Sequence, residues 1–394
     1  MQRRRAQPVL LGIALGLVAA VLALVIAGRR TLKEPDGRLV APLLPEAEGS
    51  LREVAMHFVP KFESLVEAPY TDFLRAIDAR VRVVFVTPQG LTSAERAQLD
   101  ALLGRIDGTG GLAKRASVVE SPGPITTWSK DRALVTRAPA PGQPAMLLAP
   151  SEPSQQWVER HNDWLTVQSL ARWSSGRFKA DIVPLDFDAG DFMVDGGTVI
   201  VDTNLLDKNR HRGIGDVTEL RKRLVAWLRG PVLVLGKEPG DTPRHHLAMY
   251  MTTLQDKVAV VGDPKAAKAI VGDPWEPGDA SGDTGEPLRA DFSDEMVNRF
   301  ELAARELSAL GYRVVRIPNV PFDHKTYMAY SNGVFETRDG KRVAYMPVYG
   351  VPEMDRVAQK VYESLGWTVH PVRVKTVYPF HGTIGCLVNV LGRE

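Results

Sequence analysis

Two periods of apolar residues alternate along most of the chain. Val81-Arg82-Val83-Val84-Phe85-Val86 is rich in β-branched residues and predicts a strand; Thr92-Ser93-Ala94-Glu95 behind it is a capping box, opening a helix with Leu99, Leu102, Leu103 and Ile106 on one face. The pattern returns: Asp216 and Glu219 open a helix carrying Leu220, Leu224 and Leu228, followed by an apolar strand at 231–235. Ser293 begins a helix through Met296, Phe300, Ala304 and Leu307, and a second helix covers 353–365. Each ends in Gly (Gly311, Gly366) and passes into a β-branched or aromatic strand, so the two segments read as one module written twice. Further strands are predicted at 145–148, 179–184, 198–201, 258–261, 342–346 and 374–378. About a dozen short strands with four or five helices fit an α/β architecture of repeated ββαβ units better than one doubly wound sheet. Residues 262–286, dominated by Gly, Asp and Pro without a period, read as a surface insertion.

The N-terminal region has a different pattern. Arg3-Arg4-Arg5 precede an uncharged run at 9–28, which Arg29-Arg30 close. At helical rise such a run spans about 30 Å, the thickness of a bilayer's hydrocarbon core. The expectation is a basic segment at 1–8 and a transmembrane signal-anchor at 9–28. It gives a single-pass membrane protein whose globular part is periplasmic or extracellular; secretion after cleavage behind Val25-Ile26-Ala27 is the alternative. Residues 29–79, broken by Pro35, Pro42, Pro45 and Pro60, read as a stalk and entry segment, leaving 80–394 as the folded body.

At 394 residues and 44% hydrophobic the chain can bury one large core or two ordinary ones. Lys+Arg 49 against Asp+Glu 47 gives no electrostatic footprint for nucleic acid. The sequence has no zinc-type Cys/His spacing, and it does not fix an oligomeric state. Its one cysteine, Cys386, follows a small-residue turn and enters an apolar run that reads as a buried strand. A solitary thiol is either a space-filling core residue or a nucleophile.

Three upstream segments favour chemistry, because polar residues stand where the pattern otherwise calls for core. They are Trp128-Ser129-Lys130-Asp131, Asp186-Phe187-Asp188-Ala189-Gly190-Asp191-Phe192 and His245-His246-Leu247-Ala248. Three carboxylates in an apolar frame are costly unless paired or given a cationic ligand. Of two adjacent histidines on a regular element only one can face a shared site, since they point in different directions. With Cys386 these segments hold the parts of a thiol nucleophile, its acid/base partner and carboxylates for a cation.

These segments, in this order, resemble the guanidine-modifying (pentein) superfamily, which includes arginine and agmatine deiminases, dimethylarginine dimethylaminohydrolase and amidinotransferases. Phe187-Asp188-Ala189-Gly190-Asp191-Phe192 is similar to the Phe-Asp-Ala-Ala-Asp-Phe of amidinotransferases. Trp128-Ser129-Lys130-Asp131 is similar to the Trp-x-Arg-Asp of agmatine deiminases, and Gly382-Thr383-Ile384-Gly385-Cys386 to a Gly-Gly-x-His-Cys ending, with Gly385 in place of His. The resemblance covers about 80–394. It implies a five-fold pseudo-symmetric α/β propeller and a hydrolase for amidine or guanidine C–N bonds working through a covalent thiouronium, with Cys386 as nucleophile, His246 as acid/base and Asp188 as its orienting carboxylate. Asp131, Asp191 and Trp128 would bind a small or peptidyl guanidino or amidino substrate, with no cofactor and no metal. The alternatives are an amidinotransferase and a catalytically inactive binding protein of the same fold. One departure stands out: deiminases carry His-x-Asp where His246-Leu247-Ala248 has no carboxylate, a loss of roughly 2–5 kcal/mol in cation binding unless another group substitutes.

Overall fold

The computed structural model describes residues 39–108, 111–151, 160, 162–278, 280–282, 285–323 and 325–394. Its strands are β1 (Leu51–His57), β2 (Arg82–Pro88), β3 (Ala116–Ser121), β4 (Leu134–Val135), β5 (Ala145–Pro150), β6 (Phe178–Val183), β7 (Met193–Asp195), β8 (Thr198–Asp202), β9 (Val232–Leu235), β10 (Met251–Leu254), β11 (Val258–Asp263), β12 (Arg313–Pro321), β13 (Tyr327–Ala329), β14 (Val334–Arg338), β15 (Lys341–Val348), β16 (Trp367–Arg373) and β17 (Asn389–Arg393). Among the described residues they form five sheets, and one connectivity recurs in each. An antiparallel pair is followed by a helical crossover to a third strand lying parallel to the second. This holds for β4-β5-β6, β7-β8-β9, β10-β11-β12 and β14-β15-β16. The remaining sheet is completed from both ends of the chain: β17 runs antiparallel to β1, and β1 is parallel to β2 across the helix Glu63–Ala76.

The capping chemistry is realised. Thr92 Oγ1 accepts from Glu95 N while Glu95 Oε2 accepts from Thr92 N, and the helix Ser93–Ile106 buries Leu99, Leu102, Leu103 and Ile106. Ser293 caps Asp294–Ala309, whose Met296, Phe300 and Leu307 pack in one cluster with Ala259 and Val261 of β11. Each such side chain contributes about 1.5–3 kcal/mol of burial. Asp294–Ala309 and Pro352–Ser364 hold the same place in their sheets, as the crossovers into β12 and β16.

Several expectations are corrected. No helix among the described residues is long and apolar enough to cross a membrane, and the run that suggested one, 9–28, lies outside them. At 16 residues, Asp294–Ala309 covers only about 24 Å, and one of its faces is charged. Membrane anchoring, and the periplasmic or extracellular placement drawn from it, are therefore withdrawn. The segment expected as a stalk contains β1 and the helix Glu63–Ala76. The strand was hidden by Glu53, a carboxylate in a core register that is 2% exposed and is held by Arg177 Nη1 at 2.5 Å. Within 262–286, Pro264–Val271 is a helix capped by the Asp263 side chain, with Pro264 in its first turn. Residues 374–378 form a turn instead of a strand; Val377 N and Tyr378 N both donate to Val374 O. Cys386 does not lie on a strand. It sits in one helical turn, Ile384–Leu387, where Cys386 N and Leu387 N donate to Thr383 O, and short apolar runs read alike in either state.

Candidate active site

Backbone and side-chain hydrogen bonds join three of the four segments. Lys130 N donates to Cys386 O at 3.2 Å, Ser129 Oγ to Leu387 O at 2.6 Å and Ala189 N to Asp131 O at 2.6 Å. The Trp-Ser-Lys-Asp segment is thus held between the Cys386 turn and the Asp188 turn. Trp128 is half-buried with its ring against Gly382, where a Cβ would come within 2.4 Å of the indole.

Cys386 is 4% exposed, and its Sγ lies 3.9 Å from His246 Nδ1 and 3.2 Å from Asn332 Nδ2. His246 Nδ1 is 3.9 Å from Asp131 Oδ1, and Nε2 is 3.6 Å from Asp188 Oδ2. These are ion-pair distances, longer than a hydrogen bond. Nε2 and Asp131 Oδ1 are both buried without a hydrogen-bond partner among the described residues. Burial alone would lower His246, but Asp131, Asp188 and the Cys386 sulfur outweigh it and raise the imidazole to about 10. At neutral pH the ring is therefore an imidazolium. Its neighbour His245 is not turned away, as a regular element would require. At φ +81° its backbone folds the ring back onto His246, with centroids 4.0 Å apart, and burial together with the His246 charge keeps His245 neutral. His381, the other ring near the cysteine in sequence, has its Nδ1 on Thr326 Oγ1 at 2.8 Å.

The carboxylates that the sequence offers to a substrate cation already hold internal ones. Asp131 Oδ2 accepts from Arg160 Nη2 at 2.5 Å, and Asp188 accepts from the same nitrogen at 3.1 Å and from Lys208 Nζ at 2.9 Å. Asp191 accepts from Lys208 Nζ at 2.6 Å and from Asp188 N at 2.8 Å. Burial pushes Asp188 up, but Lys208, Arg132 and Arg160 outweigh it and hold the carboxyl well below the usual carboxylate range. For Asp131 burial prevails over Arg160 and His246, and its carboxyl is raised.

Arg160, Lys208, Arg132 and Asn332 were not singled out in the sequence. Three acids in an apolar frame implied a cationic partner, yet nothing near Arg160 or Lys208 distinguishes them from surface residues. Gly385 did carry a signal: a Cβ there would come within 2.1 Å of Asn332 Oδ1, so the space beside the sulfur belongs to Asn332. Asp131, His246 and Cys386 each present a ligand atom within 4.8 Å of one another, a spacing that a metal ion could also use. Their immediate cations, Arg160 and the imidazolium, disfavour a further positive charge.

No family model and no curated protein sequence matches the chain. Among solved structures, an agmatine deiminase of Enterococcus faecalis is similar at a TM-score of 0.63 and 15% identity, covering 91% of this chain and 99% of that one. An agmatine deiminase of C. jejuni has a TM-score of 0.61 at 13% identity over 88% and 95%, and its substrate-bound form gives the same values. The chain has the fold of these agmatine deiminases. At these identities the likeness establishes the fold and not an activity.

Proposed function

We propose that the chain is a thiol-dependent hydrolase of C–N bonds in guanidino or amidino compounds. The observation that carries this reading is the approach of Cys386, His246 and Asp131 within 4.8 Å, from segments far apart in sequence, on this fold. The imidazolium beside the sulfur supplies the countercharge that a nucleophilic thiolate needs. The sulfur attacks the guanidine or amidine carbon and forms a C–S bond; the C–N bond breaks, and the departing amine takes the proton from His246. Water then gives a proton to the neutral imidazole and attacks the thiouronium carbon. The sulfur leaves, and a ureido (or amide) product is released. Asp188, fixed by Lys208 and Arg132, orients the ring and stabilises its charge, while Asp131, Asp191 and Trp128 form the substrate side. The substrate is a small molecule or a peptidyl side chain of this class.

The test is a screen of guanidino and amidino compounds for ammonia or ureido release by the full chain, with Cys386→Ala beside it. Release that vanishes in the variant while its thermal midpoint stays near that of the parent supports the reading. Unchanged release by Cys386→Ala rejects it.

A further inference from the structure

A guanidinium held for attack needs carboxylates on its N–H edge and a sulfur near its carbon. Arg160 already meets the first requirement. Its Nη2 bridges Asp131 and Asp188, which come from two separate segments. The residue is 8% exposed, so this is a built contact and not a surface pair.

The bridge is also exchangeable. Without Arg160, Asp188 keeps Lys208 at 2.9 Å and Arg132 at 3.5 Å, and Asp131 keeps the His246 imidazolium at 3.9 Å. Arg160 in turn has a third carboxylate at hand, Asp163, whose Oδ2 is 3.9 Å from its Nε. Swapping one guanidinium for another leaves the buried charge unchanged, whereas a neutral ligand in its place would strand a carboxylate.

Building on the hydrolase reading, we propose that Arg160 is a specificity-determining residue. Its guanidinium stands in the position of the substrate cation, so an incoming ligand binds only by exchange, and planar amidinium or guanidinium cations are selected over ammonium ions and neutral amides. A guanidinium is less strongly hydrated than an ammonium, so it costs less to bring between two buried carboxylates. Because apparent affinity is reduced by the fraction of molecules with the position free, removing the internal cation tightens binding by about ten-fold or more.

The experiment uses the full chain and Arg160→Ala, titrated with methylguanidinium and, as control, methylammonium. Affinity is read by calorimetry, and location by protection of Cys386 from iodoacetamide. The expected result is methylguanidinium binding at least about ten-fold tighter in the variant, with slowed labelling of Cys386 and no comparable gain for methylammonium. Equal affinity in the two proteins, or an equal gain for both ions, overturns the proposal. Should Arg160→Ala fail to fold, Arg160→Gln takes its place under the same criteria, since it removes the internal cation while keeping most of the side chain's volume. A thiol that resists iodoacetamide in both proteins, together with guanidinium-selective tightening, overturns the hydrolase reading and supports this one. A reactive thiol without tightening does the reverse.

Discussion

Gly190 and His246 share one space: a Cβ on Gly190 would lie 2.4 Å from His246 Cγ and 2.5 Å from its Nδ1. Gly190 does not have a left-handed backbone, so the restriction is room and not conformation. The Phe-Asp-Ala-Ala-Asp-Phe motif that this segment resembles carries Ala at this position, and here that methyl group would displace the ring facing the sulfur. Gly190→Ala should therefore lower kcat by about 10²-fold, the scale of a misplaced catalytic group, while a conformationally tolerated Ala leaves the secondary structure in place. Steady-state kinetics beside far-ultraviolet circular dichroism checks this; a variant with parental kcat would show that the ring position is immaterial.

The two stacked histidines should separate cleanly. His246→Ala removes the proposed proton donor and is expected to cost about 10²–10⁴-fold in turnover. His245→Ala removes only a neutral ring stacked on its neighbour, with centroids 4.0 Å apart, and should cost less than about ten-fold. Comparable losses would mean that the wrong histidine has been assigned.

A pH dependence follows from the same ring. An unfolded histidine has a pKa near 6.5, while in the folded protein His246 is raised to about 10. Between those values the folded state holds a proton that the unfolded chain gives up. The stabilisation is complete below about 6.5 and is lost as pH rises through about 10. Urea midpoints should fall across that window in the parent and fall less in His246→Gln. Identical slopes would place the titration elsewhere.

Gly385 and Asn332 should behave as a coupled pair. Gly385→Ala drives a methyl into Asn332 Oδ1 and should destabilise the fold by about 1–3 kcal/mol, the usual range for overpacking. In an Asn332→Gly background most of that penalty should disappear. Denaturant unfolding of the four proteins in the cycle gives the coupling, and additive penalties would refute the shared space.

Helix boundaries were the most legible part of the sequence. Thr92, Asp216 and Ser293 each cap the helix they announce, because a side-chain oxygen at that position satisfies an otherwise unpaired backbone N–H. Asp131, Asp188, His246 and Cys386 were legible as polar interruptions of apolar patterns. Their counterions were not. Arg160 reaches Asp131 and Asp188 across some 28–29 positions, and a lone arginine has no periodicity that betrays burial. β1 was missed for a related reason: Glu53 and the prolines around the strand look solvated until Arg177, which directly precedes β6 of a different sheet, is seen neutralising the carboxylate. The membrane anchor rested on residues 9–28 alone, and nothing among the described residues supports it.

The pairing of β17 with β1 imposes an order of events on biosynthesis. The cysteine turn leads directly into β17, so the sulfur reaches its surroundings only when the last sheet strand docks beside the first. While residue 393 is still in the ribosomal tunnel, the edge of β1 that β17 covers is bare. A nascent chain of this protein would then be exposed to edge-to-edge pairing at β1 until β17 emerges.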